Sequence, residues 1–182
     1  MRRVSSHFER SGSDTVYEGS FFTVHRDRFR HEDGEEVTRD VVRHPGAVAI
    51  VVLDGDRIWL VRQPREAIDS PDFLEIPAGK LDEEGEDALA TAKRELAEEL
   101  GKQARKWEQL GSFYTSPGFT DEKVYLYLAT GISNVDTQPA VEHNERIDVE
   151  VRSVAELDEV LAESQDSKTL IALCRLRERL AS

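Results

Sequence analysis

One stretch decides how this chain folds, and it reads GKLDEEGEDALATAKRELAEELG over residues 79–101. Its second half predicts a helix from about Asp87 to Leu100. Gly101 suits the C-terminal cap because glycine readily adopts the left-handed conformation. Helical residues turn by about 100° each, so the apolar side chains gather on one side as a core stripe, namely Leu89, Ala92, Leu96 and Leu100. The stretch therefore predicts an acidic loop followed by a helix with one buried flank.

Three glutamates of this helix, Glu95, Glu98 and Glu99, lie away from the apolar stripe. Like charges four residues apart destabilise a helix by a few tenths of a kcal/mol, and the negative end of the helix dipole disfavours them as well. Clustered carboxylates with few nitrogen or sulfur donors suit hard cations such as Mg²⁺ or Mn²⁺. The alternative is a solvated acidic face with ion pairs to Lys93 and Arg94, and the helix taken alone favours this alternative.

The composition is that of a folded soluble domain. The chain has 182 residues, of which 38% are hydrophobic and 34% are charged, which suits one domain with a real core. No apolar run approaches the roughly 18 residues needed to cross a bilayer. The net charge of −13 repels nucleic acids and anionic membranes, so neither is an expected partner. The single cysteine, Cys174, excludes an intrachain disulfide, and a cytoplasmic location is expected.

The rest of the chain predicts strands around this helix. Residues 15–43 are typical of a β-hairpin that turns at Asp33-Gly34. The nearly all-apolar segment 47–53 predicts a strand buried on both faces, and further strands are predicted over residues 57–61, 73–77, 108–114, 124–129 and 147–151. Two C-terminal helices are predicted, one after Ser153 over residues 154–162 and one after Ser167. The sum is an α/β or α+β sandwich with a mixed sheet, divided into an N-terminal region 1–45 and a main domain 46–182.

The stretch from Gly79 to Gly101 closely resembles the Nudix box. That pattern is Gly, five residues, Glu, seven residues, Arg-Glu, an aliphatic residue, any residue, Glu-Glu, any residue, Gly and an aliphatic residue. Every fixed position from Glu86 to Gly101 matches. The chain departs from the pattern at two points: six residues separate Gly79 from Glu86, and the last aliphatic position is Lys102. The resemblance implies a Nudix-type α/β/α sandwich.

Other segments resemble the ADP-ribose pyrophosphatase branch of this family. They are Leu74-Glu75-Ile76-Pro77-Ala78-Gly79 before the box and Ser116-Pro117-Gly118-Phe119-Thr120-Asp121-Glu122 after it. Pro117 stands 16 positions after Gly101, as in ADP-ribose hydrolases. The N-terminal hairpin is similar to the extra sheet that these enzymes exchange in forming a dimer, which implies a homodimer.

The resemblance also implies a metal site. Glu95 and Glu99 are expected to bind two or more Mg²⁺ or Mn²⁺ ions directly. Glu98 is expected to be a further ligand or to support the ligands, and it is a candidate catalytic group. The backbone carbonyl of Ala78 is expected to complete the site. The structural residues of the box are expected to be Gly79, Glu86 and Arg94, with an ion pair between the last two.

The base that activates water is expected in a later loop, where the candidates are Glu142 and Glu145; His143 is a weaker alternative. The expected substrate-binding residues are Arg65 for phosphate, Glu75 for a ribose hydroxyl or the adenine amine, Phe22 (or Phe21) for stacking on adenine, Pro117 and Gly118. Each has a structural alternative, such as a surface arginine, a solvent-facing strand residue, a core aromatic or a turn glycine.

These expectations imply metal-dependent hydrolysis of ADP-ribose to AMP and ribose 5-phosphate. Two alternatives stay open. One is a pyrophosphatase for another nucleoside diphosphate derivative, such as the nucleotide sugar GDP-mannose. The other is a sensor that binds nucleotides without cleaving them, but such domains lose glutamates of the box, and Glu95, Glu98 and Glu99 are all present.

Overall fold

A computed structural model of the chain describes residues 7–136 and 146–181. Its α-helices are α1 (Ala88–Leu100), α2 (Leu157–Glu163) and α3 (Ser167–Leu180). The strands are β1 (Phe8–Glu18), β2 (Thr23–His31), β3 (Glu36–Arg43), β4 (Ala47–Asp54), β5 (Arg57–Arg65), β6 (Ser70–Glu75), β7 (Ala78–Lys80), β8 (Lys102–Tyr114), β9 (Lys123–Asn134) and β10 (Asp148–Ser153). None of the helices in these two ranges is long and apolar enough to cross a membrane.

The chain divides into two compact units. The first contains the residues up to Gly46 together with Tyr114–Lys123, and the second contains Ala47–Phe113 and the residues from Val124 onward. The first unit is thus built from two separate segments of the chain, and the short second segment holds the Ser-Pro-Gly-Phe turn.

The first unit contains a three-stranded antiparallel sheet in the order β1-β2-β3. The expected hairpin over residues 15–43 is therefore incomplete, because β1 adds a third strand that begins at Phe8. Strand β1 is almost entirely exposed and carries few apolar residues, so it lacks the alternation that marks a half-buried strand. It joins the sheet through its backbone hydrogen bonds with β2 rather than by burying side chains.

Asp27, on β2, is a fully buried charge in the first unit. Ser13 donates a hydrogen bond of 2.6 Å to its Oδ1, Arg43 pairs with its Oδ2, and Arg10 lies 3.6 Å from the same oxygen. Burial acts to raise the pKa of Asp27, but the Ser13 hydroxyl and the Arg43 and Arg10 charges outweigh burial and hold this pKa below its usual range. The carboxylate therefore joins all three strands as an ion.

Replacing Asp27 by asparagine is expected to lower the free energy of unfolding by about 2 kcal/mol, because charged hydrogen bonds inside the sheet are lost. A lowered native pKa stabilises the fold above pH of about 4 and loses that effect as pH falls through the native pKa. The gap between wild type and variant should thus narrow in acid, as measured by denaturant unfolding. Asp40→Asn, in an exposed pair with Arg26, is the control and should change little. Equal effects of both variants at pH 7 would contradict the expectation.

The second unit is built on a seven-stranded mixed sheet. The order β10-β5-β4-β9-β8 forms its main path, with β6 added to β5 and β7 added to β4. Strand β4 runs parallel to β9 and antiparallel to β5, and residues 47–52 of β4 are buried, as predicted. A strand covered on both faces has no solvated side, which explains its unbroken apolar sequence.

Helices cover both faces of this sheet. Because side chains of a strand alternate, Val48, Ile50 and Val52 face one core, which contains the α1 residues Ala92, Leu96 and Leu100. Ala47, Ala49 and Val51 face the other core, which contains Leu157, Val160, Leu173 and Leu176 of α2 and α3. The second unit is the predicted α/β/α sandwich with a mixed sheet.

Some predicted boundaries need correction in the C-terminal part. A short 3₁₀ turn over Val154–Glu156 precedes α2, and Ser153 caps that turn. Helix α3 begins at Ser167 itself, because the side chain of Asp166, not that of Ser167, accepts from the backbone of Thr169. Both residue types cap helices well, so the sequence alone does not separate them.

Candidate functional site

Helix α1 has the predicted start and end. The side chain of Asp87 accepts a hydrogen bond from Ala90 N at 2.8 Å and caps the N-terminus. Gly101 adopts a left-handed conformation with φ of 63°, and its N–H bonds back to carbonyls of the last turn. This cap lets β8 begin directly at Lys102. The helix therefore occupies a fixed position above β4.

Two of the three glutamates on α1 are buried. Glu95 and Glu99 are each 8% exposed, and Ala78 N donates a hydrogen bond of 3.3 Å to Glu99 Oε2. The side chain of Glu98 is 23% exposed and lies against Arg94. A solvated acidic face is therefore the wrong description of Glu95 and Glu99, because the short strand β7 covers this flank of the helix.

Gly79 lies directly beside the Glu95 carboxylate. A Cβ added at residue 79 would overlap the carboxylate carbon and Oε1 of Glu95. The backbone of β7 and the α1 carboxylate thus share space that only glycine leaves open. The requirement for glycine here comes from this close approach.

Arg94 joins the carboxylates of the box. Its Nε donates to Glu86 Oε2 at 3.2 Å, and its Nη1 lies 2.8 Å from Glu98 Oε2 and 2.9 Å from Glu95 Oε1. The expected ion pair between Glu86 and Arg94 is present. Burial acts to lower the pKa of Arg94, but the Glu95 charge and the pairs with Glu86 and Glu98 raise this pKa above its ordinary value. Arg94 fixes the loop to the helix and offsets the charge of the glutamates.

The donor chemistry at this place fits a hard divalent cation. Two buried carboxylates, Glu95 and Glu99, are directed at the backbone of residues 78–79, which offers oxygen ligands of the kind that Mg²⁺ prefers. Within residues 7–136 and 146–181, no three Asp, Glu, His or Cys side chains form a preassembled metal cluster. These residues therefore suit a divalent cation chemically. Arg94 contacts both Glu95 and Glu98 and so holds the two carboxylates close together.

Arg65 and Glu75 pair with each other. Arg65 Nη2 donates to Glu75 Oε2 at 2.8 Å and its Nε donates to Oε1, so the contact is bidentate. The hydrogen bonds to Glu75 are the main cause that raises the pKa of Arg65. Glu75 is only 1% exposed, so it is not a solvent-facing strand residue. A direct contact of either residue with a substrate stays a prediction.

Sequence reasoning missed two residues beside this pair. Lys168 Nζ lies 3.4 Å from Glu75 Oε2 and 2.7 Å from Asp166 Oδ1. Lys168 stands 93 positions after Glu75, and their contact depends on the packing of α3, so no local pattern indicates it. The cap pattern Asp-x-x-Thr at residues 166–169 was the one available signal, and it marks the helix start only.

The remaining predicted residues do not all lie in the second unit. Phe22, Pro117 and Gly118 belong to the first unit. Phe22 is half-buried, with its ring 5.1 Å from Phe21 and 5.8 Å from Tyr17. Pro117 and Gly118 are the exposed corner of a turn that a hydrogen bond from Phe119 N to Ser116 O closes. The candidate bases Glu142 and Glu145, and His143, lie outside the described residues.

The chain is similar to several known proteins of one family. The NUDIX domain model matches residues 42–174. The ADP-ribose pyrophosphatase of Mycobacterium tuberculosis is 45% identical over 139 residues, which cover 76% of this chain and 66% of that protein. The ADP-ribose pyrophosphatase of Bacillus subtilis is 37% identical over 92% of each chain, and the methanol dehydrogenase activator of Bacillus methanolicus is 37% identical over 88% of each.

A solved structure of an ADP compounds hydrolase superposes with a TM-score of 0.83. It covers 96% of this chain and 94% of its own, at 22% identity, so it supports the fold alone. The domain match covers well over half of the chain and includes β4, the box and the first half of α3. The matched residues include β7 and α1, which carry Gly79 and the buried carboxylates. The chain therefore belongs to the NUDIX domain family.

Proposed function

We propose that the chain is a metal-dependent pyrophosphatase that hydrolyses ADP-ribose to AMP and ribose 5-phosphate. The observation that carries the proposal is the pair of buried carboxylates, Glu95 and Glu99, directed at the backbone of Gly79 and Ala78. Relatives that are 45% and 37% identical are named ADP-ribose pyrophosphatases, which supports this substrate.

The chemistry follows from the groups present. Glu95, Glu99 and the carbonyl of Ala78 would hold two or more Mg²⁺ or Mn²⁺ ions, with Glu98 as a further ligand or support. When bound, such ions supply charge neutralisation on the pyrophosphate and lower the pKa of a water ligand. Arg65 is half-exposed and binds a phosphate oxygen with the edge of its guanidinium that does not face Glu75.

The proton of the attacking water passes to a glutamate, for which Glu142 and Glu145 are the candidates. Oxygen from water then bonds to one phosphorus atom while the bridging P–O bond breaks, and the second phosphate leaves with the bridging oxygen. The products are AMP and ribose 5-phosphate. Phe22, Pro117 and Gly118 belong to the same proposal as contacts for the adenine end.

The expected result is that purified chain converts ADP-ribose to AMP in the presence of Mg²⁺ and stops when the metal is removed with EDTA. Anion-exchange chromatography separates substrate from product. GDP-mannose and other nucleoside diphosphate derivatives serve as competitors, and the highest kcat/KM identifies the preferred substrate. Binding of ADP-ribose without any turnover at high enzyme concentration would instead indicate the sensor alternative.

A homodimer formed through the first unit, and a cytoplasmic location, are parts of this proposal. The exposed strand β1 supports the dimer, because an edge strand of this length offers unpaired backbone groups and exposes Phe8 and Tyr17. The net charge of −13 supports a small phosphorylated substrate, reached through metal ions, over a nucleic acid or a membrane.

A further inference from the structure

A chain of alternating charges joins the start of α3 to Arg65. It runs from Asp166 through Lys168 and Glu75 to Arg65, with 2.7 Å between Asp166 and Lys168 and 3.4 Å between Lys168 and Glu75. Asp166 is 7% exposed and Glu75 is 1% exposed, so the two anions are buried. Their charges are offset by two cations, Lys168 and Arg65, whose side chains are more exposed than that of Glu75.

Thr169 fixes this end of α3 to the polypeptide that carries Glu75. Its hydroxyl accepts a hydrogen bond of 2.8 Å from Ile76 N and donates one of 2.7 Å to Asp166 Oδ2. Burial acts to raise the pKa of Asp166, but Lys168 and Thr169 outweigh burial and hold this pKa below its usual range. Asp166 therefore remains an anion that holds Lys168 beside Glu75.

Arg65 uses only one edge of its guanidinium inside this network. Its Nε and Nη2 groups bind Glu75, and among the residues that the structure describes Nη1 has no hydrogen-bonding partner. The side chain is 41% exposed. The planar fork makes the two edges rigidly related, so any group that fixes Glu75 also fixes the direction of the outer edge.

We propose that Lys168 is a positioning residue for substrate binding, acting through Glu75 on Arg65. With Lys168 present, Glu75 is held by two cations, and Arg65 keeps its outer edge directed toward a phosphate. Without Lys168, Glu75 keeps only Arg65 of these two cations and attracts the Arg65 guanidinium more strongly. The net charge of the cluster also becomes more negative by one. Phosphate binding then weakens. This inference rests on the proposed function, because the phosphate belongs to the nucleoside diphosphate substrate.

The kinetic test is a double-mutant cycle with ADP-ribose and Mg²⁺. Lys168→Met is expected to raise KM by about tenfold, with kcat changed by less than about threefold, because binding is lost rather than chemistry. In an Arg65→Gln background the same substitution should change KM by less than about twofold, since Arg65 carries the effect. The proposal would be overturned if the two substitutions raised KM independently, so that their factors multiplied. It would also be overturned if Lys168→Met left KM unchanged.

Two control variants separate positioning from folding. Lys168→Arg keeps a cation beside Glu75 and is expected to restore KM to within about threefold of wild type. Lys106→Met removes an exposed lysine of β8 and is expected to leave both constants unchanged. Circular dichroism and thermal unfolding identify a variant that fails to fold, and in that case Lys168→Gln replaces Lys168→Met in the cycle.

A measurement without substrate tests the charge network separately from the proposed function. Bidentate pairing shields the Arg65 Nε–H group, so this group should give a resolved signal in a ¹H–¹⁵N spectrum, assigned by its loss in Arg65→Gln. The signal is expected to shift in Lys168→Met and not in Lys106→Met. No shift in Lys168→Met would overturn the network whatever the substrate, whereas a shift without ADP-ribose turnover would overturn the proposed function alone.

Discussion

Replacing Glu99 by glutamine is expected to lower kcat/KM for ADP-ribose by at least about a hundredfold. Groups that only orient metal ligands cost tenfold to a hundredfold when removed, so a direct ligand should cost more. Glutamine keeps the size of Glu99 and can still accept the hydrogen bond from Ala78 N, but it has no charge for a cation. The measurement is steady-state turnover over a range of Mg²⁺ concentrations, where the variant should need far more metal.

A second readout of the same variant does not depend on turnover. Glu95 and Glu99 are like charges four residues apart, so neutralising one should not destabilise the metal-free protein. Mg²⁺ should raise the melting temperature of wild type, because a ligand that binds only the folded state stabilises it, and should raise that of Glu99→Gln much less.

The matched control is Glu84→Gln, which removes one negative charge from the exposed acidic loop. It is expected to leave both turnover and the Mg²⁺-dependent rise in melting temperature within about twofold of wild type, since exposed charges are screened. If Glu99→Gln behaved like Glu84→Gln in both measurements, the metal assignment would be wrong.

The helix and its cap could be predicted from the sequence because their causes are local. Leu96 and Leu100 repeat at helical spacing, and Gly101 takes the left-handed conformation that ends the helix. The central strand β4 was predictable for a similar reason, since a strand buried on both faces needs an unbroken apolar run. Strand β1 has neither signal, and only its backbone pairing with β2 makes it a strand.

Helical geometry alone could not predict that Glu95 and Glu99 are buried. The angles place both side chains off the apolar stripe, which favours solvent unless another element covers that flank. Strand β7 covers it, and its three residues are too few to show a pattern of their own. The contact of Lys168 with Glu75 is likewise a tertiary one, made when α3 packs on the sheet, so its residues carry no sign of it in sequence.

Replacing Gly79 by alanine is expected to cost about as much activity as replacing Glu99, although residue 79 has no side chain to contribute. The added Cβ would overlap the Glu95 carboxylate, so either Glu95 turns away or β7 moves off β4, where Gly79 is paired with Val48. Overpacking of this kind costs about 1–3 kcal/mol in stability. A displaced Glu95 also weakens the metal site, so kcat/KM should fall by about a hundredfold and the Mg²⁺ requirement should rise.

Two further variants separate this displacement from a general loss of stability. Gly34→Ala places alanine at a φ of 87° in an open turn of the first unit, so it should destabilise the protein by about 1 kcal/mol and leave turnover unchanged. Glu95→Ala removes every side-chain atom of Glu95 that the new Cβ would overlap, from Cγ outward, and should by itself lose activity because a metal ligand is gone. If Gly79→Ala acts by displacing Glu95, adding it to Glu95→Ala should lower kcat/KM by less than about threefold more. A double variant far less active than Glu95→Ala would mean that the glycine serves the backbone of β7 rather than the place of Glu95.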